Sequence, residues 1–219
     1  MLLYYITDRG QFPGDEAARR RRLLEKVGEA ARCGVDYIQL REKDLSSREL
    51  ELLAREAVQT IRTGFALRTE NRGQRTALLI NSRTDVALAC EAGGVHLPAH
   101  DISASEVRNI WTRSRSSRAI IGVSCHSIEE VRDAAGDADF AVFGPVFEKR
   151  DESGSAPRGL GALRQACAQK IRVFALGGVT LENAEACHKA GAAGVAAIRL
   201  FQENDIRIVV DALAASPRT

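Results

Sequence analysis

The sequence lacks long apolar runs and is poor in aromatic residues, which make up 5% of its 219 positions. No window approaches the roughly 18–20 consecutive apolar residues that a membrane-spanning helix needs. The amino-terminal apolar stretch, residues 2–6, meets a charged turn at once and has neither the basic start nor the length of a secretory signal. We therefore expect a soluble, cytoplasmic protein without a membrane partner.

Cys-x-x-Cys pairs and short Cys/His ladders are also missing. The five cysteines are an odd number and stand far apart, at positions 33, 90, 125, 167 and 187. This spacing excludes the usual zinc sites and shows no disulfide framework. A chain of this length buries about 70–75% of the surface that its unfolded form exposes, so it needs neither a zinc site nor disulfides to fold. We expect reduced cysteines that serve as small core residues.

The chain has no large excess of charge of either sign. Lysine and arginine number 31, aspartate and glutamate 29, and the formal net charge is +2. A nucleic-acid-binding domain usually carries a basic face that shifts this balance, so we expect no nucleic-acid partner. No linker or change of composition divides the chain, and residues 1–219 are expected to form one domain.

Short apolar, β-branched runs alternate with longer amphipathic segments along the whole chain. The alternation predicts strands at residues 2–6, 36–41, 77–81, 94–97, 119–123, 140–143, 172–176 and 194–198. It predicts helices at residues 15–32, 47–66, 84–92, 103–113, 127–135, 160–170, 180–190 and about 203–214. Eight βα units in so short a chain favour an α/β fold of the single-domain (β/α)8 TIM barrel type. A doubly wound open sheet is the alternative. It is disfavoured because Thr7-Asp8-Arg9-Gly10 stands in place of a Gly-x-Gly-x-x-Gly turn.

Small residues mark the expected helix ends. A serine oxygen at a helix start accepts a hydrogen bond from an unpaired backbone amide, and the serines placed to do so are Ser47, Ser103 and Ser127. The last two precede a glutamate by three residues, which is the spacing of a capping box. The glycines expected to stop helices in the left-handed conformation are Gly34, Gly93 and Gly191.

The carboxyl ends of the strands are where a barrel of this type carries its chemistry. Arg41 and Lys43 follow the second strand two residues apart, so they point the same way if the strand continues and form a cation pair suited to phosphate oxygens. Asn81 follows the third strand, and Asp101 is the carboxylate after the fourth. Taken singly, either cation is also typical of a surface salt bridge, and Asp101 is also typical of a turn that opens a helix.

Further candidates follow the fifth and sixth strands. Ser124, Cys125 and His126 follow the fifth; the cysteine is favoured as a buried small residue, and the histidine has a structural role as its alternative. The polar loop at residues 148–159, which includes Lys149, is the longest connection. A loop of this length is typical of a lid or a binding loop.

Paired glycines, Gly177 and Gly178, follow the seventh strand, and Arg199 follows the eighth. Loops at these two places form the common phosphate site of such barrels, because glycine lets backbone amides approach a phosphate closely. Together with the cation pair after the second strand, Arg199 and Arg83 predict a local excess of positive charge at one end of the barrel.

Six motifs stand at the predicted strand ends: Gln39-Leu40-Arg41-Glu42-Lys43, Leu79-Ile80-Asn81-x-Arg83-x-Asp85, Gly94-Val95-His96-Leu97, Ile121-Gly122-Val123-Ser124-x-His126, Phe143-Gly144-Pro145-Val146-Phe147 and Ala175-Leu176-Gly177-Gly178-Val179-Thr180. In this order and spacing the chain resembles the thiamine phosphate synthase/TenI superfamily. The resemblance covers nearly the whole chain, and it implies a (β/α)8 barrel with a role in thiamine biosynthesis.

The resemblance implies a transferase that joins hydroxymethylpyrimidine pyrophosphate to a thiazole phosphate and releases pyrophosphate, with Mg²⁺ as cofactor. The implied catalytic residues are Arg41, Lys43 and Ser124, and the implied metal ligand is Asp101. The implied substrate-binding residues are Gln39, Asn81, His126, Lys149, Gly177, Gly178, Ile198 and Arg199. Small molecules are therefore the expected partners. A homo-oligomer is a further possibility that the resemblance leaves undecided.

Two departures from the family pattern keep other branches open. Ser82 stands where the synthases have an aspartate, so Mg²⁺ is expected to bind more weakly, and residues 148–152 replace a Thr-rich loop that ends in lysine. TenI-like thiazole tautomerases share these features and Leu97-Pro98, but Pro145 stands where their histidine is expected. We predict a synthase. A tautomerase, or a non-catalytic regulatory protein that binds thiazole phosphate, is the alternative.

Overall fold

Eight parallel strands close into a barrel in the computed structural model, which describes residues 1–66, 76–148 and 156–214. Each strand pairs with the next along the chain, and the last pairs with the first. The strands are β1 (Leu2–Ile6), β2 (Tyr37–Leu40), β3 (Ala77–Asn81), β4 (Gly94–Leu97), β5 (Ile120–Cys125), β6 (Phe140–Phe143), β7 (Arg172–Leu176) and β8 (Gly194–Ala197). The predicted (β/α)8 barrel is confirmed, and each predicted strand is present within two residues of its predicted bounds.

Helices connect successive strands and pack around the barrel. Within the described ranges they are α1 (Glu16–Cys33), α2 (Ser47–Ala66), α3 (Thr84–Ala89), α4 (Ala104–Ser114), α5 (Ile128–Ala134), α6 (Gly159–Cys167), α7 (Ala184–Lys189), α8 (Arg199–Gln202) and α9 (Ile206–Ala214). The short helix α8 was not predicted from the sequence. None of the helices in this part of the chain is both long and apolar enough to cross a bilayer.

Helix α7 begins at Ala184, four residues later than predicted, because a side chain holds the preceding turn. Asn183 Oδ1 accepts a hydrogen bond from the Thr180 amide at 2.8 Å, and Asn183 Nδ2 donates to the Gly178 carbonyl at 2.9 Å. Such local side-chain bonds compete with the helical ladder. They also tie the start of α7 to the glycine pair after β7.

The predicted capping residue of helix α2 is wrong. Helix α2 is capped by Ser46, whose Oγ accepts from the Glu49 amide, and not by Ser47. The predicted capping box of Ser103 and Glu106 is present at the start of α4.

The left-handed position after α3 belongs to Glu91, with φ of 57°, and not to Gly93. A Cβ at Gly93 would lie 3.2 Å from Ala77 Cβ, so the glycine serves the close approach to β3. Gly34 and Gly191 adopt the predicted left-handed conformation, with φ of 88° and 103°.

The interior of the barrel is filled by aromatic side chains at one level and by polar side chains above it. Alternate strand residues point inward, and the apolar inward cluster consists of Tyr4, Ile6, Tyr37, Leu79, Phe140, Val142, Phe174 and Ala196. The ring centroids of Tyr4 and Phe140 lie 5.4 Å apart, edge to face. The other strand face packs under the helices, where Trp111 is buried. The aromatic level forms a floor below the carboxyl ends of the strands.

Gly122 on β5 is a position at which this floor leaves no room for a side chain. A Cβ there would lie 2.5 Å from Cε2 and Cζ of Phe140 and 3.0 Å from Nδ1 of His96. We expect Gly122→Ala to lower the free energy of unfolding by about 1–3 kcal/mol, because both rings must shift. Chemical denaturation measures the loss. Gly136→Ala is the matched control, since a Cβ at Gly136 meets no atom within 4 Å. Equal stability of the two variants would contradict the packing argument.

Candidate active site at the carboxyl end of the barrel

Polar side chains from adjacent strands meet above the aromatic floor. Gln39 on β2 donates from Nε2 to Oδ1 of Asn81 on β3 at 2.8 Å. Gln39 is 2% exposed, and Asn81 is half-buried at the end of its strand. Within the described part of the chain the Gln39 carboxamide oxygen and the Asn81 amide nitrogen have no hydrogen-bond partner. The pair therefore offers a polar ligand one acceptor and one donor.

Arg41 and Lys43 follow β2 at the carboxyl end of the barrel, and their charges are close enough to interact. The Arg41 charge is the main cause that lowers the pKa of the Lys43 amine. It is also the smaller of the two causes that lower the pKa of His96. Neither cation forms an ion pair with any residue that the structure describes. The two side chains thus form a local positive site in an otherwise balanced protein.

The residue between the two cations, Glu42, turns the opposite way and anchors the segment. Its carboxylate accepts from Thr7 Oγ1 at 2.6 Å and from Arg9 Nη1 at 3.0 Å. Thr7 Oγ1 in turn accepts from the Arg41 amide at 3.0 Å. Glu42 is thus buried between a half-buried Arg41 and an exposed Lys43. Arg9 and Glu42 were not predicted from the sequence as parts of this region, although the alternation from Arg41 to Lys43 places Glu42 on the other side of the segment.

The Glu42 anchor is a buried charge that is paired on several sides. Burial raises the pKa of Glu42, whereas the hydrogen bonds from Thr7 and Arg9 act in the opposite direction. Arg9 is also held by Asp44, with Nη1 to Oδ1 at 2.7 Å, and this contact is the main cause that raises the Arg9 pKa. Arg9 therefore stays charged and compensates the buried carboxylate.

Ser124 on β5 is bonded from below by a buried histidine that sequence analysis did not select. His96 Nε2 lies 2.8 Å from Ser124 Oγ, and His96 Nδ1 lies 3.2 Å from the Tyr4 hydroxyl. Burial first, and the Arg41 charge second, lower the pKa of His96 to about 3. His96 is thus neutral at physiological pH. The signal in the sequence was a histidine two residues after Gly94, at an inward position of a four-residue strand.

Asp101, the predicted metal ligand, lies beside Ser82. The Ser82 hydroxyl donates to Asp101 Oδ2, and the Ile102 amide donates to Asp101 Oδ1 at 2.8 Å. Ser82 has a left-handed backbone with φ of 63°. Among the described residues no group of three or more His, Cys, Asp or Glu side chains is arranged around this carboxylate or elsewhere. Asp101 is therefore a single carboxylate next to a hydroxyl.

His126 lies on the neighbouring loop with both its backbone and its ring engaged. Its Nδ1 lies 2.9 Å from the Gly144 carbonyl, and its amide donates to Glu130 Oε2 at 2.5 Å. Ser127 Oγ accepts from the Glu130 amide, as predicted for a cap. The second half of the predicted capping box is wrong, because the Glu130 carboxylate bonds to the His126 amide. This contact fixes the loop that carries His126 at the mouth.

Cys125 points away from the site, into the layer between barrel and helices. Burial raises the pKa of its thiol to about 12. The prediction of a buried small residue is confirmed. A thiol with so high a pKa is not available for proton transfer near neutral pH.

The glycine pair after β7 lies against the loop after β6. A Cβ at Gly177 would lie 2.6 Å from Pro145 Cβ, and a Cβ at Gly178 would lie 2.3 Å from the Glu148 carbonyl oxygen. The Phe147 amide donates to the Gly177 carbonyl at 3.0 Å. These glycines are thus needed for the contact between the two loops. Ile198 and Arg199 follow β8 at the same end of the barrel.

Arg83 does not join the cation pair, contrary to the sequence expectation. Its guanidinium forms two bonds with Asp85, Nε to Oδ1 at 2.9 Å and Nη2 to Oδ2 at 2.5 Å, and a third with Ser47 Oγ at 2.8 Å. Its charge is therefore paired at the start of α3. Lys149, which was predicted to contact substrate, lies outside the described residues, as does most of the loop predicted over 148–159.

The chain is similar to known proteins over nearly its whole length. A family model described as thiamine monophosphate synthase matches residues 3–201. A putative thiamine-phosphate synthase 2 of Aquifex aeolicus (strain VF5) is 37% identical over 203 residues, which are 92% of this chain and 97% of that protein. A putative thiamine-phosphate synthase of Geobacter sulfurreducens is 40% identical over 223 residues, covering 99% and 95%. The solved structure of a thiamine phosphate pyrophosphorylase from Pyrococcus furiosus superposes with a TM-score of 0.76 at 30% identity, covering 98% and 94%.

Proposed function

Since the chain belongs to the thiamine monophosphate synthase family, we propose that it is a transferase of thiamine biosynthesis that joins hydroxymethylpyrimidine pyrophosphate to a thiazole phosphate. The observation that carries the proposal is the pair of cations, Arg41 and Lys43, without an ion-pair partner in the described part of the chain. They follow β2, the strand whose Gln39 bonds to Asn81, at the carboxyl end of a closed barrel. A diphosphate and a polar aromatic ring are the ligands that such an arrangement suits.

The reaction breaks the bond between the pyrimidine methylene carbon and a diphosphate oxygen, and the electron pair leaves with pyrophosphate. The thiazole nitrogen then supplies the pair for the new carbon–nitrogen bond. Negative charge grows on the departing group, so cations and hydroxyl donors fixed in advance lower the barrier. In this proposal Arg41, Lys43 and Ser124 perform that role.

The same proposal assigns the remaining residues to binding. Gln39 and Asn81 hold the pyrimidine ring through their unpartnered amide atoms, and His126 borders that ring. The thiazole phosphate lies at the loops after β7 and β8, and the residues proposed for it are Gly177, Gly178, Ile198 and Arg199. Holding both rings in line provides much of the rate enhancement, because it removes the need for two substrates to meet in solution.

Asp101 and Ser82 are the residues that would hold Mg²⁺. A single carboxylate beside a hydroxyl fits this ion when phosphate oxygens and water supply the other ligands, as is common for Mg²⁺. When bound, the ion would add positive charge to the departing diphosphate.

The direct test supplies purified protein with both substrates and Mg²⁺ and measures thiamine phosphate by chromatography. Formation of thiamine phosphate with equimolar pyrophosphate is expected. Isomerisation of a thiazole carboxylate phosphate without thiamine phosphate would overturn the proposal in favour of a tautomerase. Binding of thiazole phosphate with neither reaction would favour a regulatory protein. The tautomerase has support in Ser82, which stands in place of an acidic residue, but the buried Cys125 leaves it one acid–base candidate fewer.

Ser82→Asp is expected to lower the Mg²⁺ concentration for half-maximal synthase activity by about tenfold, because it adds a carboxylate next to Asp101. The left-handed backbone at this position accepts aspartate and asparagine more readily than most residues. Titration of activity with Mg²⁺ measures the shift. Ser82→Asn is the matched control, with similar size and no charge. If both variants leave the Mg²⁺ profile unchanged, Asp101 holds no metal.

A further inference from the structure

We propose that Tyr4, His96 and Ser124 form a directional hydrogen-bond relay that turns the hydroxyl proton of Ser124 toward the diphosphate. Tyr4 and His96 act as positioning residues in this relay, and Ser124 is the group that contacts substrate. The inference deepens the proposed function and rests on it for the identity of the diphosphate. The direction of the relay itself follows from contacts inside the barrel.

The three residues form one connected line from the aromatic floor to the mouth. The Tyr4 hydroxyl lies 3.2 Å from His96 Nδ1, and Ser124 Oγ lies 2.8 Å from His96 Nε2. Tyr4 is 0% exposed and His96 is 2% exposed, whereas Ser124 is half-buried. The line thus begins in a sealed layer and ends at a group that a ligand can reach.

The imidazole carries one ring proton, so the relay has two forms. Burial lowers the pKa of His96 to about 3, and the nearby Arg41 cation acts in the same direction. A neutral imidazole donates from one nitrogen and accepts at the other. Either Nδ1 accepts from Tyr4 while Nε2 donates to Ser124, or both bonds run the other way.

Tyr4, at the buried end of the relay, determines which of the two protonated forms His96 adopts. The environment of Tyr4 consists of the Phe140, Phe174 and Tyr37 rings, and His96 is the hydrogen-bond partner that the described residues provide for its hydroxyl. If Nδ1 carried the proton, the Tyr4 hydroxyl would accept and its own proton would be stranded in an apolar layer. A buried donor without an acceptor is strongly disfavoured. Tyr4 therefore donates to Nδ1, and the proton resides on Nε2.

The consequence at the mouth is a serine that donates outward. Because Nε2–H occupies a lone pair of Ser124 Oγ, the serine proton is free to bond with an incoming oxygen. The opposite direction would use that proton on Nε2 and present lone pairs to a diphosphate, which repels them. Gly122 allows this arrangement, since a Cβ there would lie 3.0 Å from His96 Nδ1.

The direction of the relay is testable without substrate. In wild-type protein labelled with ¹⁵N-histidine, NMR is expected to show His96 in the Nε2–H form, and His96→Gln identifies its signals among the four histidines. An Nδ1–H form in the wild type would overturn the proposal. This measurement does not depend on whether any Tyr4 variant folds or on whether thiamine phosphate is made.

The effect on the mouth is tested by binding of inorganic pyrophosphate in titration calorimetry. Tyr4→Phe is expected to weaken binding by about threefold to tenfold, as expected for one misdirected hydrogen bond, and to mix the two His96 forms. Ser124→Ala is expected to weaken binding at least as much, and Tyr4→Phe added to it should weaken binding no further. Tyr37→Phe is the matched control in the same aromatic layer. An additive double variant, or an equal effect of Tyr37→Phe, would overturn the relay. Intact relay behaviour without thiamine phosphate formation would instead overturn the proposed function alone.

Discussion

Replacing Arg41 by alanine is expected to lower kcat/KM for thiamine phosphate formation by about 10²–10³-fold, the effect of removing a fixed donor from developing negative charge. Arg41 is half-buried, lies near His96 and Lys43, and has no ion-pair partner among the described residues. Its charge is therefore available to the departing diphosphate. Steady-state kinetics with both substrates measures the loss, which should fall mainly on kcat because the charge develops in the transition state.

Substitutions of Lys43 and Arg48 test whether the effect of Arg41→Ala is specific to the site. Lys43→Ala is expected to cost less, because this side chain is more exposed and its charge is better screened by water. Arg48→Ala is the matched control, an exposed arginine on α2 without an ion-pair partner in the described ranges. Loss of activity in Arg48→Ala comparable to that in Arg41→Ala would show that overall charge, and not the site, is responsible. Full activity of Arg41→Ala would remove the cation pair from the mechanism.

Arg9→Ala is expected to lower the free energy of unfolding by about 3–5 kcal/mol, because it leaves the Glu42 carboxylate buried without its cation. The Glu42 side chain is 1% exposed and bonds to Arg9 Nη1 at 3.0 Å. Chemical denaturation with a two-state fit measures the loss. Arg20→Ala is the control: it removes the exposed pair with Glu56 and should change the unfolding free energy by less than about 1 kcal/mol.

The Arg9→Ala loss should depend on pH in a defined direction. Burial already raises the pKa of Glu42 in the folded protein, and without Arg9 the pKa rises further. The folded state then binds more protons than the unfolded state, so stability increases as pH falls through the folded pKa. The destabilisation of Arg9→Ala should therefore shrink between neutral pH and about pH 5. A loss that is constant over this range would show that Glu42 is not the stranded group.

Local sequence pattern predicted the elements of this fold well. The 20-residue helix α2 matches its predicted range from end to end, because its amphipathic period is strong and its first turn carries a favourable glutamate. Five strands also match their predicted ranges, namely β1, β3, β4, β6 and β7. Short apolar runs bounded by charged or small residues rarely form any other element. Errors of one to four residues fall at element ends, where several nearby groups compete as partners for the backbone.

Errors in the site have a different origin, which is the choice of partner for a polar side chain. Sequence order placed Arg83 with the other strand-end cations, but Asp85 lies two residues away on the same turn and takes its charge. Gly93 stands in a helix-stop sequence, yet the helix ends earlier and Glu91 takes the left-handed position. In both cases several nearby residues could have taken the same role, and their spacing along the chain did not show which of them does.

The sequence by itself determined the barrel, the order of its strands and the set of polar residues at their carboxyl ends, because these depend on periodicity and chain order. Tertiary structure alone decided which of those residues are paired. The decisive contacts join residues 33 positions apart in Arg9–Glu42, 28 in His96–Ser124 and 92 in Tyr4–His96. Arg9–Glu42 and His96–Ser124 meet when neighbouring strands pair. Tyr4–His96 joins β1 to β4 across the interior, so this pair needs the curved sheet of the barrel.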